Sequence, residues 1–177
     1  MTAEKPNPTL DIEPPNPQLD KLVRLAVEHA ERVLIGKDGA SIMPSFVIES
    51  ANGQIAIVAT PWTSERDKEL TVLALRATMR KAGVERYSFI SEAWMAVAAP
   101  GTEHKARLAD HEMPSQRPDR IEVVIITASD ATEVRSAMLR IIRGEAGTVV
   151  RLDRDKADAK HVKGRFADLL KPDPEQS

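Results

Sequence analysis

The stretch RYSFISEAWMAVAAP, residues 86–100, holds the chain's only tyrosine, one of its three phenylalanines and one of its two tryptophans. Side chains alternate across an extended strand. Tyr87, Phe89, Ser91, Ala93 and Met95 therefore share one face, and Arg86, Ser88, Ile90, Glu92 and Trp94 share the other. Downstream, RIEVVIITA (residues 120–128) divides the same way, into Ile121, Val123 and Ile125 against Arg120, Glu122, Val124 and Ile126. Apolar groups on both faces mark central strands that are covered on each side. The cover is either two amphipathic helices or one helix and a second subunit.

Working outward, Leu19, Leu22, Val23, Ala26, Ala30, Val33 and Leu34 follow helical i, i+3, i+4 spacing, opposite a polar face of Asp20, Arg24, Glu28 and Glu31, and Gly36 is a natural stop. SFVIES and QIAIVAT flank Asn52-Gly53, a strong hairpin signal, and Pro61 ends the second run. The next segment, residues 63–83, reads as a helix: Thr63 or Ser64 caps it, Glu65 and Asp67 suit its first turn, Arg80 and Lys81 its last, and Gly83 terminates it.

After Asp130 the pattern supports two structures. Asp130 and Glu133 resemble a capping box with Val134, Ala137, Met138 and Ile141 on one helical face, whereas MLRIIR-GEAG-TVVRL reads as two strands around a Gly-bounded turn. The hairpin is the expectation adopted here. Val162, Phe166, Leu169 and Leu170 suggest a short closing helix. The expected fold is α+β, a mostly antiparallel sheet with amphipathic helices packed on it, in the order α-β-β-α-β-β-β-β-α.

At 177 residues the chain fits one domain. Residues 1–17 hold five of the twelve prolines and read as an extended arm, residues 18–171 as the single α+β domain, and residues 172–177 as a tail. In the arm, Leu10 and Ile12 have the i, i+2 spacing that points both to one side, a candidate docking pair. Absent cysteine excludes disulfides, thiolate metal sites and a cysteine nucleophile. No apolar run approaches a membrane span and the N-terminus is no signal peptide, so a cytoplasmic protein without membrane contact is the default.

The net charge of −2 hides an asymmetry: residues 1–134 carry 15 Lys and Arg against 20 Asp and Glu, and residues 135–171 carry 10 against 5. Arg135, Arg140, Arg143 and Arg151 lie in that basic part and are candidates for anion binding. The segment lacks the aromatic platforms usual in single-strand nucleic-acid binding, and it can equally complement the acidic remainder of its own fold.

If the two central strands pair antiparallel, Glu92 comes near Arg120 or Glu122. One expectation is a structural Glu–Arg pair across the strands with Trp94 in the core. The other is an acidic site of Glu92, Asp119 and Glu122 holding a divalent cation. SEAW followed some 20 residues later by RPDRIEV resembles an uncharacterised protein family associated with bacterial and phage genomes. The resemblance covers about residues 45–154 and implies that Glu92, Trp94, Pro118, Asp119, Arg120 and Glu122 belong to one shared feature.

Other chemistry has thin support. His104, Asp110, His111 and Glu112 sit in a long polar stretch without zinc-ligand spacing, GKDGAS lacks the phosphate-loop pattern, and there is no GxSxG elbow. The functional expectation is a non-enzymatic protein, without cofactor or metal, that works by self-association or as a subunit of a larger, phage-type complex. A metal-dependent hydrolase using the acidic cluster and a weak nucleic-acid binder through the basic part are the alternatives.

Overall fold

The computed structural model describes residues 16–96, 114–154, 166 and 169–170. The arm pair Leu10 and Ile12, the polar residues 104–112, Val162 and the tail 172–177 lie outside these. The chain runs α1 (Pro17–Leu34), β1 (Ser45–Ser50), β2 (Ile55–Ala59), α2 (Glu65–Lys81), β3 (Val84–Ala96), β4 (Arg120–Asp130), β5 (Val134–Arg143) and β6 (Val149–Arg154). The expected α+β class and the succession α-β-β-α-β-β-β-β are present. The closing helix falls mostly outside the described residues, and Phe166, Leu169 and Leu170 lie in turns.

All six strands form one sheet in the order β2-β1-β3-β4-β5-β6, and every neighbouring pair is antiparallel. Both β2 and β3 pair antiparallel with β1, so they run in the same direction and α2 crosses over β1 to join them. The central strands are β1, β3, β4 and β5, and the edges are β2 and β6.

Local chemistry accounts for the element ends. Asn16 caps α1 by accepting the Leu19 N–H at 3.2 Å, and Pro17 occupies the first turn, where its missing donor costs nothing. Asn16 and Pro17, counted with the arm from sequence, are thus the start of the helix. Ser64 caps α2 by accepting the Asp67 N–H, while Asp67 accepts the Thr63 N–H and hydroxyl. Gly53 takes φ +78° in the β1–β2 turn, a conformation cheap only without a Cβ.

The expected hairpin is present: Val134–Arg143 and Val149–Arg154 pair antiparallel around the turn at Gly144–Gly147, and the stretch after Asp130 is strand rather than helix. The Asp130 carboxylate accepts the Thr132 and Glu133 N–H groups, as a helix cap would, but the Asp130 N–H donates to the Glu133 carbonyl and closes a tight β4–β5 turn. The capping pattern was real; the chain it starts is a strand.

The two faces of the sheet are covered differently. Leu19, Leu22, Val23, Ala26, Ala30 and Leu34 of α1 pack on Val47, Ile90, Val124, Ile126, Ala137, Leu139 and Ile141. Full burial of each leucine, isoleucine or valine among these stabilises by about 1.5–3 kcal/mol, so α1 is the main lid. The opposite face gathers Phe46, Trp62, Tyr87, Phe89 and Phe166, every aromatic residue but Trp94, with Phe166 stacked on Trp62 at 5.1 Å. Tyr87 ties that cluster down, its hydroxyl donating to the Phe166 carbonyl at 2.6 Å and accepting the Leu169 N–H at 3.1 Å.

α2 contributes less than an amphipathic lid would. Met79 is its one buried residue among those described, with Val72 and Leu75 half-buried against the aromatic cluster. Leu70, Leu73, Ala74 and Ala77, at helical spacing on the other side, are exposed. The helix therefore has a second apolar stripe that the sheet does not use.

Candidate functional site

Glu92, Trp94, Arg120 and Glu122 share one face of β3 and β4, the face that α1 covers, while Pro118 and Asp119 precede β4. Glu92 lies opposite Val124 and Trp94 opposite Glu122. The Glu92 Oε1 accepts the Ile42 backbone N–H at 2.6 Å, so the carboxylate pins the connector after α1 to the sheet. Burial raises its pKa above the ordinary carboxylate range; the Ile42 N–H opposes this, Glu122 adds to it and Arg143 lessens it.

The sequence expectation of a Glu92–Arg120 pair is corrected here. Arg120 stands opposite Ala96 at the strand end, and its guanidinium lies 4.9 Å from the Trp94 ring centroid while Nη1 donates to the Ser115 carbonyl at 2.7 Å. Trp94 is not core either, because 41% of it is exposed. The cation over the exposed ring takes the place of buried packing.

Glu122 is clamped by Arg143, Nε to Oε2 at 2.7 Å and Nη2 to Oε1 at 2.5 Å. This bidentate bond raises the Arg143 pKa further, and Arg143 Nη1 also donates to the Gly147 carbonyl. Asp119 is held in the same manner by Arg117, at 2.7 and 2.8 Å, and that bond lowers its pKa. Each carboxylate of the Glu92, Asp119 and Glu122 set therefore already has a protein donor. Among the described residues no three His, Cys, Asp or Glu side chains are grouped to hold a metal ion.

The four arginines proposed for anion binding are dispersed across β5 and β6. Arg135 pairs with Glu133, Arg143 with Glu122, and Arg151 with Asp153. Arg140 is exposed, and its partner position across β5–β6 is Asp153. The local positive excess is thus interleaved with the acids of the same sheet.

Sequence reasoning missed two features. Glu49 is buried on β1 between Lys21 and Arg86, at 3.0 and 3.3 Å. Burial alone would raise its pKa, but the hydrogen bonds and charges of those two cations outweigh it and lower it.

The other missed feature is the β2 edge. All five residues of β2, Ile-Ala-Ile-Val-Ala, are exposed, with Ile55 at 42% and Ile57 at 52%. Thr60 N–H donates to the Pro44 carbonyl and Ser50 N–H to the Gln54 carbonyl, which sets the hydrogen-bond phase of the β1–β2 ladder. By the alternation of antiparallel pairs, Ala56 and Val58 direct their backbone groups at β1, and Ile55, Ile57 and Ala59 direct theirs outward. The far edge is different. β6 carries Arg151, Asp153 and Arg154, and its Val149 bridges Ile35, with the Gly36 N–H donating to the Val149 carbonyl at 2.9 Å. One edge is charged and partly occupied; the other has no strand or backbone partner among the described residues.

No protein-family model matches the chain, and neither a curated protein nor a solved structure matches it. No helix among the described residues is long and apolar enough to cross a membrane.

Proposed function

We propose that the protein is an assembly module that binds another chain by strand addition at the β2 edge, acting as an oligomer or as a subunit of a larger complex. The observation that carries this is the edge itself: an uncharged strand, exposed on both faces, with three outward rows of backbone donors and acceptors. Folded proteins ordinarily guard such an edge with lysine, proline or a covering segment, because it templates pairing with other chains. Strand addition gives affinity through main-chain bonds and selectivity through the alternate side chains. The unused apolar stripe on α2, Leu70 and Leu73, enlarges the surface open to a partner.

The occupied state of Glu92, Asp119 and Glu122, and of three of the four arginines, gives the hydrolase and nucleic-acid readings less support. The test is the size at which the chain elutes from its native source, compared with an Ile57→Lys variant. A large species that falls to the size of the free chain in the variant is the expected result. Elution of the unmodified chain as a monomer that does not associate on concentration, or a large species indifferent to the substitution, would refute the assignment.

A further inference from the structure

Building on the strand-addition reading, we infer that the occupant of the β2 edge is β2 of a second copy, paired antiparallel about a two-fold axis through Ile57. Three features of the edge fit a second copy in particular. The first is phase. The outward-facing residues Ile55, Ile57 and Ala59 are centred on Ile57. Pairing Ile57 with its counterpart places Ile55 opposite Ala59 and Ala59 opposite Ile55, so every outward donor and acceptor of both strands is used. An axis between two residues would set an outward group against an inward one.

The second is shape. In that register each Ile55 meets an alanine, and on the opposite face each Val58 meets Ala56, so large side chains stand against small ones. Only the central Ile57 pair is large against large, on the axis. No charge lies within the strand, so no like charges oppose each other across it.

The third is closure. Adding β2 of one copy to β6 of the next would grow an open filament. The Ile35 bridge and the charged side chains of β6 disfavour that arrangement and leave the symmetric β2 pair as the available contact. A contact built on two short strands lies at the small end of specific interfaces, under about 1,200 Å², which corresponds to weak, concentration-dependent association.

The chain has no cysteine, so an introduced one reports alone. Directly opposed residues of a hydrogen-bonded antiparallel pair have Cα atoms about 5.5 Å apart, close enough for a short bifunctional thiol reagent to bridge. Ile57→Cys should therefore cross-link to a covalent dimer with a short bis-thiol reagent well above the level of Val150→Cys, an exposed control on the other edge. Light scattering of the unmodified chain should give twice the chain mass at high concentration, and Ile57→Lys should weaken the dimer by at least about tenfold. In the dimer, the Ile55, Ile57 and Ala59 amides should become protected from hydrogen exchange; in dilute monomer they should exchange freely.

A monomer at every concentration, equal cross-linking of the two cysteine variants, or an unprotected Ile57 amide in the dimer would overturn the inference. Protection of these amides in a monomer would assign the edge to another segment of the same chain and overturn it too. If the isolated chain is monomeric while Ile57→Lys still releases it from a larger species in its source, the second copy is wrong and strand addition stands. If neither effect is seen, both fall.

Discussion

The Ile42 N–H donates to the Glu92 carboxylate at 2.6 Å, joining the connector behind α1 to the middle of the sheet. The glutamate that interrupts an otherwise apolar strand is therefore a fastening for backbone that has no strand partner. Its raised pKa fixes the sign of a pH effect. The folded chain holds this proton more tightly than the unfolded chain, so the contribution to stability is full below the ordinary carboxylate range, about pH 4, and is lost as pH rises through the raised value. Glu92→Gln keeps an acceptor for Ile42 and removes the titration. The urea midpoint of the variant, relative to the parent, should be higher near neutrality than in acid. A difference that does not change with pH would show that Glu92 carries no such linkage.

The Tyr87 hydroxyl holds Phe166 and Leu169, with one bond donated and one accepted. Tyr87→Phe preserves the ring in the aromatic cluster and leaves a buried N–H and carbonyl without that partner. The cost should be about 1–3 kcal/mol, read from the urea midpoint. The Leu169 amide should lose its exchange protection to a greater degree than the amides of β3. An unaffected Leu169 amide would mean that other contacts hold the turn.

Ser88 offers the opposite sign. Its hydroxyl is buried under α1 with no hydrogen-bond partner among the described residues. Ser88→Ala removes a desolvated polar group and little volume, so it should stabilise the fold by about 1 kcal/mol. Thermal unfolding decides this, and destabilisation would reveal a partner for the hydroxyl.

For the basic part, Arg135, Arg143 and Arg151 already carry the counter-charges of Glu133, Glu122 and Asp153, which weakens their pull on phosphate. Binding to duplex DNA should therefore be weak and fall steeply between about 50 and 200 mM salt. Arg140→Glu is the clean reversal, since Arg143→Glu would set two carboxylates against each other at Glu122 and damage the fold as well. Tight binding that survives the higher salt and vanishes in Arg140→Glu would restore the nucleic-acid reading.

These variants also mark what the sequence could convey. Both faces of β3 and β4 were legible because alternation survives burial, and Asn52-Gly53 and Gly83 fixed the turn and helix end through backbone chemistry local to them. Strand order was not legible. Nothing in IAIVA distinguishes a buried central strand from a bare edge, because composition reports what a strand can bury and not what lies beside it. Trp94 misled for the same reason: alternation assigns it a face of β3 and does not say whether anything covers that face there. Arg143 meets Glu122 from the neighbouring strand, beyond the last register pair of the β4–β5 ladder, Val123 with Arg140, and no local pattern foretells that contact.

The arm can be tested only if the cut respects α1. Removing residues 1–17 deletes Asn16, which caps the helix at Leu19 and donates to Glu133 Oε2 at 2.7 Å, and also Pro17 in the first turn. Removing residues 1–15 leaves both. Loss of an asparagine cap costs about 1 kcal/mol, and the lost Asn16–Glu133 hydrogen bond adds to that, although Arg135 still pairs with the carboxylate. The shorter deletion should therefore match the parent in urea midpoint, and the longer one should fall below it by about 1–2 kcal/mol. With stability controlled in this way, light scattering isolates the arm: if Leu10 and Ile12 dock on a neighbouring chain, residues 1–15 are needed for the full mass, and Leu10→Asp with Ile12→Asp should reproduce the deletion. Equal midpoints for the two deletions would disprove the cap, and an unchanged mass without residues 1–15 would disprove the docking.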